Sequence, residues 1–199
     1  MKILKFVGLA ILGLIVILLI VAAVMEKSFG AEAKTVINKP KEQVFGYVKY
    51  LKNQDAFSKW ASIDPEMVQT FSGTDGEVGF VSAWTSNHPD VGVGEQEITA
   101  ISPDRIDYEL RFKEPFESVA TCYMTFESTG DGNTQLVWGF NGDMAYPMNV
   151  MMLFMDMEGA IQSDLQVGLD NLKIILDSMP EPEPEIEIEM LDSDTLVTQ

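Results

Sequence analysis

The sequence contains one cysteine, Cys122, and one histidine, His88. A single cysteine excludes an intrachain disulfide, so packing must stabilise the core by itself. Because Cys122 lies among alternating apolar residues, the pattern favours a buried small hydrophobic side chain over a nucleophile. His88 precedes Pro89 and Asp90 in a turn, which is typical of a solvated histidine and not of a general base. The sequence therefore indicates no catalytic residue, no metal site and no cofactor.

Positive charge is also scarce. The chain has 13 Lys and Arg residues against 31 Asp and Glu, a net charge of −18. Nine of the basic residues lie at or before Lys59, which leaves 4 basic and 27 acidic residues from Trp60 onward. Phosphate groups require a basic surface, so the composition argues against a nucleic acid partner. Anionic lipid headgroups would repel the same acidic domain, and attachment to a membrane would need another feature.

Charge is absent from a run of 20 residues, Phe6–Met25, near the N-terminus. As a helix at about 1.5 Å per residue, the run spans about 30 Å, the thickness of the hydrocarbon core of a bilayer. Residues 1–27 are therefore predicted to anchor the chain as a single-pass protein of the cell membrane. Lys2 and Lys5 favour a cytoplasmic N-terminus, which would place the following domain outside the cytoplasm.

A cleavable signal peptide is the alternative for this segment, with Ala31-Glu32-Ala33 as an A-x-A-like cleavage site. The apolar region of a signal peptide is usually about 7–15 residues long, which is shorter than this run. Cleavage after Ala33 would also remove part of the first predicted strand. The sequence thus favours an uncleaved anchor.

The rest of the chain divides into a domain and a tail. Residues 28–179 have the length of one domain with its own core. Residues 180–199 begin with alternating proline and glutamate and contain seven acidic and no basic residues. Such a composition predicts a disordered segment that improves solubility, and a docking motif for a protein partner is the alternative.

The domain has the pattern of an α+β fold. Ala33–Ile37 is predicted as a strand, followed by a helix with Asn38 as N-cap and Pro40 in its first turn, and by a short helix over Gln54–Trp60. Six strands separated by turn sequences are predicted at Met67–Phe71, Val78–Thr85, Gly94–Ile101, Arg105–Phe112, Val119–Glu127 and Gln135–Asp143. Apolar residues at intervals of three and four predict a last helix over Asn149–Ser178.

Alternation along the strands places aromatic and apolar residues on one face of the sheet. Tyr108 and Leu110, for instance, share a face, whereas Glu109 takes the other. The apolar stripe of the last helix would cover this face. Gly168 lies on that stripe, where it indicates either close contact between helix and sheet or space left for a ligand.

Methionine is concentrated before and within the start of the last predicted helix, where half of the 12 methionines fall within 14 residues. These are Met144, Met148, Met151, Met152, Met155 and Met157. Thioethers suit Cu(I), but no histidine or cysteine lies nearby in the sequence. Methionine also fills irregular gaps in cores and lines adaptable binding surfaces, so the cluster is predicted to line the core or a cavity.

Several stretches of the domain resemble a known family. They are Val36–Pro40, Val44–Val48, Phe57–Trp60, Gly92–Glu95 and Lys113–Glu117, and with them most of residues 32–178 is similar to the START-like (SRPBCC) superfamily. The resemblance is to its polyketide cyclase/dehydratase and lipid-transport branch, of the membrane-anchored bacterial type. It implies a helix-grip fold, in which a curved seven-stranded antiparallel sheet wraps around a long C-terminal helix. The cavity between them would take lipids, sterols, polyketides or other apolar molecules.

These observations lead to one main hypothesis, the binding, with or without local transfer, of an apolar small molecule or lipid by a membrane-tethered domain. Alternation along the strands and the position of the last helix predict the residues of the cavity wall. They are Phe80, Trp84, Tyr108, Met124, Trp138, Phe140, Met151 and Phe154. One alternative is a polyketide cyclase-like or hydrolase-like enzyme that uses Tyr108 and an acid at the cavity mouth. The other is a protein-interaction module with a filled core and no cavity.

Overall fold

The computed structural model describes residues 2–180 and contains one seven-stranded antiparallel sheet with three α-helices. The helices are α1 (Lys2–Val24), α2 (Lys41–Val48) and α3 (Met157–Ser178). The strands are β1 (Ser28–Ile37), β2 (Val68–Ser72), β3 (Val81–Thr85), β4 (Val93–Ser102), β5 (Arg105–Glu114), β6 (Ser118–Ser128) and β7 (Thr134–Asp143). Short 3₁₀ helices cover Leu51–Ala56, Trp60–Ser62 and Met148–Leu153. This arrangement confirms the predicted α+β helix-grip fold.

The sheet has the strand order β1-β7-β6-β5-β4-β3-β2, and its inner face packs against α3. The predicted alternation holds along β6, where Ala120, Cys122, Met124 and Phe126 are buried. On α3 the buried leucines recur at helical spacing, at positions 165, 169, 172 and 176. One core thus lies between one face of the sheet and one stripe of the helix.

Two ends of the domain can be distinguished from the strand register. At one end, Ser28 pairs with Asp143 and Phe112 pairs with Ser118. Val93 at the start of β4 pairs with Glu114 at the end of β5 at the same end. The connections 85–93, 114–118 and 143–157 therefore lie at the end where α1 joins the domain, which we call the α1 end. Gly30 and the first turn of α3 meet at this end, because the Gly30 amide donates to Oε1 of Glu158 at 3.4 Å.

The opposite end of the domain is closed by hydrogen bonds around the C-terminus of α3. Nζ of the buried Lys39 donates to the Met179 carbonyl at 2.6 Å, where a cation also complements the helix dipole. The Asn38 amide donates to Oδ1 of Asp177 at 2.8 Å, and the Thr134 hydroxyl donates to the Lys39 carbonyl at 2.7 Å. A cavity between sheet and helix can therefore open only towards the α1 end or the side.

Two predicted helix starts are wrong, and both errors have the same physical cause. The last helix begins at Met157 and not at Asn149, because Asp156 caps it by accepting the Gly159 amide at 2.9 Å. The Asn149 side chain instead donates to the Ala22 carbonyl of α1 at 2.7 Å. Asn38, likewise, does not cap α2, since its side chain binds Asp177. In each case a distant partner takes the side chain away from the local cap.

The helix α1 has 23 residues and is long and apolar enough to cross a bilayer. Its last turns contact the domain through Ala22, which is fully buried. The predicted tail, residues 180–199, lies outside the described residues except for Pro180.

An ion-pair network on the outer face of the sheet connects β4 and β5. The guanidinium of Arg111 contacts Glu95 at 2.6 Å, Glu97 at 2.8 Å and Glu109 at 2.6 Å. Nζ of Lys113 lies 2.5 Å from the second oxygen of Glu95. The hydrogen bonds from Lys113 and Arg111 hold the pKa of Glu95 below its ordinary value.

We expect Arg111→Gln to lower the free energy of unfolding at pH 7 by about 1 kcal/mol, because it removes the hub of a network and leaves three glutamates without their shared partner. The depressed pKa of Glu95 means that its contribution is present above the ordinary carboxylate pKa and is lost as the pH falls through the depressed one. The difference between the two proteins should therefore shrink at acidic pH. Denaturation of the full chain in detergent at pH 7 and at about pH 3 measures it, with the exposed Lys34→Gln as a charge-matched control. An equal difference at both pH values would contradict the role of the network.

Candidate functional site

A cavity of about 290 Å³ lies between the first half of α3, the inner face of the sheet and the segment 54–61. Most of its wall is apolar and is formed by Trp60, Ala61, Met67, Trp84, Val91, Leu110, Phe112, Trp138, Phe140, Ile161 and Leu165. The polar part of the wall consists of Gln54, Ser58, Gln69, Ser82, Asp90, Gln96 and Cys122. A concave, largely apolar space with a few polar groups is the usual form of a small-molecule site, and this volume lies near the lower limit of such sites.

The strand register builds the floor of the cavity. Ser82, Gln96 and Leu110 lie side by side across β3, β4 and β5. The next inward row begins with Trp84, which faces Gly94 and makes an edge contact with Phe112 at 6.0 Å between ring centroids. A Cβ atom at position 94 would lie 2.8 Å from Cη2 of Trp84, so the glycine makes room for the indole. Nε1 of Trp84 donates to the Val91 carbonyl at 3.4 Å, which holds the ring against the connection 85–93.

Trp138 of β7 lies between the cavity and α3, with its ring in edge contact with Phe57 and Trp60 at centroid distances of 5.8 and 6.2 Å. Gly168 permits this position, because a Cβ atom there would lie 2.7 Å from Cζ3 of Trp138. Of the two interpretations of Gly168 from the sequence, the structure thus supports close contact between helix and sheet.

The indole nitrogen of Trp138 is an exception to the good hydrogen bonding of the core. The side chain is 2% exposed, and Nε1 has no hydrogen-bond partner among residues 2–180. A buried donor without a partner costs about 1–3 kcal/mol. The nitrogen atom itself is inaccessible, so the N–H is enclosed within the core and does not face the cavity that another part of Trp138 lines.

The segment 54–61 is held over the cavity by α3. Lys59 forms an ion pair with Asp164, and Nδ2 of Asn171 donates to the Phe57 carbonyl at 3.2 Å. These two contacts lie just before Trp60 in the chain and fix the side wall to the same helix that supplies Ile161 and Leu165.

The titratable groups near the cavity do not form an activated pair. Burial raises the pKa of the Cys122 thiol and of the Tyr108 phenol well above their ordinary values, so both are neutral at physiological pH. In the connection beside the cavity, Ser86 donates its hydroxyl to Asp64, which lowers the pKa of that carboxyl. Nδ1 of His88 accepts the Asp90 amide at 3.2 Å. The serine and the histidine are therefore engaged with other partners.

The structure distributes the predicted wall residues over three places. Trp84, Trp138 and Phe140 line the cavity. Phe80, Tyr108 and Met124 have the predicted inward orientation, but they are at most 2% exposed and belong to the filled core beside the cavity. Alternation along a strand assigns each side chain to one face of the sheet. It does not show which part of that face is covered by side chains of α3 and which part borders the cavity.

The structure places Met151 and Phe154 outside the cavity, in the connection between β7 and α3. Met151 is 38% and Phe154 75% exposed. Their assignment depended on a helix that began at Asn149, and the capped helix begins eight residues later, at Met157. Most of the methionine cluster shares this position, so Met148 and Met155 likewise lie outside the core and the cavity that the sequence predicts for them.

Some wall residues were missed although the sequence contains a signal for them. Leu110 and Phe112 have the same parity as Tyr108, and Ile161 and Leu165 belong to the predicted helix stripe. Trp60 and Met67 lie outside regular strands and long helices, where no periodicity identifies an inward side chain.

The cavity borders a depression of about 310 Å³ at the α1 end. The two spaces share Asp90, Val91, Phe112, Phe140 and Ile161. From there the depression extends to Phe29, Phe116 and Met157. We call this depression the mouth, and it is formed by the connections at the end of the domain to which α1 is attached.

An antiparallel sheet that encloses an apolar cavity with a long C-terminal helix defines a helix-grip binding fold. Residues 28–176 match the family described as polyketide cyclase / dehydrase and lipid transport, and the chain belongs to this family. The family resemblance drawn from the sequence is thereby confirmed. No curated protein matches the chain.

Solved structures of low sequence identity share the fold. Protein CV1439 from Chromobacterium violaceum is 16% identical with a TM-score of 0.52, and the match covers 75% of this chain and 98% of that one. The protein TTHA0849 from Thermus thermophilus is 14% identical with a TM-score of 0.55, over 74% and 97% of the two chains. The di-domain ARO/CYC protein BexL is 15% identical with a TM-score of 0.57, over 80% of this chain and 53% of that one.

Proposed function

We propose that this protein binds an apolar small molecule or a lipid in the cavity between the sheet and α3, while α1 tethers it to a membrane. The observation that carries the proposal is the largely apolar cavity of about 290 Å³ with its mouth at the α1 end. Burial of apolar ligand surface would supply about 25 cal/mol per Å² before the costs of association. The tether would allow local exchange of the ligand with the lipid phase.

The cavity restricts the chemistry of the ligand. Its volume suits one small ring system or one acyl segment, and a two-chain phospholipid would have to leave most of its surface outside. The uncharged polar side chains of the wall, among them Ser82, Gln69 and Gln96, can hydrogen-bond to a single polar group on such a ligand. The few charged groups of the wall argue against an ionic ligand.

The proposal includes a topology. Residues 1–27 serve as the anchor, residues 28–179 as the binding domain outside the cytoplasm, and residues 180–199 as an acidic tail. Lys2 and Lys5 support the cytoplasmic position of the N-terminus. The tail remains a candidate docking segment for a protein partner on the basis of its composition.

The apolar wall at Trp138 is tested with two probes of the same shape, α-tetralone with a carbonyl and tetralin without one. Trp138→Phe removes the indole N–H and keeps an aromatic wall. We expect it to weaken the binding of both probes by a similar factor, because the change removes part of the apolar wall and the buried Nε1 lies out of reach of the tetralone carbonyl. Binding to the full chain in nanodiscs is measured by calorimetry. Each probe is compared between the natural chain and Trp138→Phe, so that its partition into the lipid cancels.

A much larger loss for tetralone than for tetralin in Trp138→Phe would show that the indole N–H reaches the ligand and would contradict this arrangement of the wall. No binding of either probe to the natural chain, at concentrations where both bind other apolar cavities, would contradict the proposed function itself.

A further inference from the structure

The α1 end of the domain exposes large apolar side chains that the fold does not cover. Phe116 and Phe154 are each 75% exposed, Val119 is 55% and Leu153 is 52% exposed. Tyr146 and Met155 extend the same region. We call these six residues the apolar rim. Contiguous exposed apolar surface on a protein usually marks a site of contact with another molecule or a membrane.

The apolar rim is attached directly to α1. Nδ2 of the fully buried Asn149 donates to the Ala22 carbonyl at 2.7 Å, and the Met144 amide donates to the Lys27 carbonyl at 2.7 Å. These two bonds hold the connection that carries Tyr146, Leu153 and Phe154 against the last turn of the helix. The position of the rim relative to a membrane is thus fixed by α1.

The depth of this attachment follows from the length of α1. If the uncharged run Phe6–Met25 fills the hydrocarbon core, Ala22 lies about 5 Å inside its outer boundary, at about 1.5 Å per residue. The connection that packs on Ala22 then lies at the level where interfacial helices bury their apolar faces, about 5–10 Å into the boundary of headgroups and acyl chains. Aromatic and methionine side chains at this level would contact lipid and not water.

The charge around the rim selects the kind of lipid. Glu114, Glu117, Asp143, Asp156 and Glu158 surround it, and the nearby basic residues are Lys27 and Lys113. A net acidic border is repelled by anionic headgroups, so the surface fits uncharged or zwitterionic lipid.

We propose that the apolar rim inserts into the interface of a zwitterionic bilayer and that the mouth of the cavity opens onto lipid there. Phe116 belongs to both the rim and the mouth, so a ligand could pass between acyl chains and cavity without crossing water. The inference rests on the proposed tether by α1, and it holds whether or not the cavity retains a ligand on purification.

The test places a fluorescent label at single introduced cysteines in the full chain, reconstituted in phosphatidylcholine vesicles that contain brominated lipid. Labels at Phe116→Cys and Phe154→Cys should be quenched several-fold more by the brominated lipid than a label at Ile174→Cys. Ile174 is the matched control, because it is an apolar residue 69% exposed on the far half of α3. The natural chain controls for labelling of the buried Cys122.

A label at Ile15→Cys within α1 tests the membrane tether separately from the insertion of the apolar rim. Strong quenching at position 15 with labels at 116 and 154 quenched as little as at 174 would overturn the rim and keep the tether. Absence of quenching at position 15 would overturn the tether as well. Labels at 116 and 154 that are shielded from both brominated lipid and aqueous iodide would indicate contact with a second copy of the chain and also overturn the inference.

Lipid charge gives a second readout. Replacement of part of the phosphatidylcholine by phosphatidylglycerol should lower the quenching at 116 and 154 and leave that at 15 unchanged. An increase at 116 and 154 would contradict the selection of zwitterionic lipid.

Discussion

Ser82→Phe is expected to abolish binding of an apolar ligand while the domain stays folded. Ser82 lies on the cavity floor between Phe80 and Trp84 along the chain, in register with Gln96, and its side chain is the smallest in that part of the wall. A phenyl ring there would occupy space that the ligand needs. Loss of about 120 Å² of apolar contact at about 25 cal/mol per Å² costs about 3 kcal/mol, which weakens binding by about 100-fold.

Ala83→Phe is the matched control for this substitution. Ala83 is the next residue of β3, it pairs with Thr70 and Glu95, and its side chain points to the outer face. The substitution Ala83→Phe should leave the dissociation constant for tetralone within a few-fold of that of the natural chain. Similar losses from both variants, or a natural affinity in Ser82→Phe, would show that the ligand does not occupy the cavity.

Leu165→Ala is expected to destabilise the protein by about 2–5 kcal/mol and to enlarge the cavity at the same time. Leu165 is 1% exposed and contributes to the wall from α3, so its truncation removes core packing and opens space towards the helix. An apolar probe larger than tetralin should then bind more tightly to the variant than to the natural chain. Its binding should also restore part of the lost stability, because a ligand that binds only the folded state raises the unfolding midpoint.

Leu172→Ala provides the comparison on the same helix. Leu172 is fully buried, but it packs in the filled half of the core and does not line the cavity. Its truncation should cost a similar free energy of unfolding without recovery by the larger probe. Thermal unfolding of both variants in detergent, with and without probe, makes the comparison. Equal recovery in both would mean that the probe binds any void in the core and that the cavity is not a distinct site.

The sequence predicted the sheet well because its strands have strong alternation and clear turns. The buried positions of β6 and the leucines of α3 are those that the periodicity indicates. Local signals were enough to decide which side chains of these elements are buried.

The start of α3 could not be predicted from local signals. Asn149 and Asp156 are both good N-cap residues, and the apolar spacing continues through both. The choice depends on Ala22, whose carbonyl takes the side chain of Asn149 from 127 positions away in the chain. A prediction from the local pattern has no access to such a contact.

The shape of the cavity also depends on contacts between residues that are far apart in the sequence. Parity placed Tyr108 and Trp138 on the same face, but only Trp138 borders the open space. Which inward positions are filled is decided by the side chain of α3 that lies opposite. Leu169 and Leu172 fill the far half of the interface, whereas Ile161 and Leu165 leave room at the α1 end.

The most direct test of the central claim is native mass spectrometry of the full chain and of Ser82→Phe, both released from nanodiscs under the same conditions. We predict a discrete added mass on the natural chain that disappears after solvent extraction and is absent from Ser82→Phe. Lipid held by α1 would appear equally on both proteins, so the difference reports on the cavity alone. A bare mass for the natural chain in repeated preparations and after incubation with membrane lipids, or the same added mass on both proteins, would contradict the claim that the cavity holds an apolar ligand.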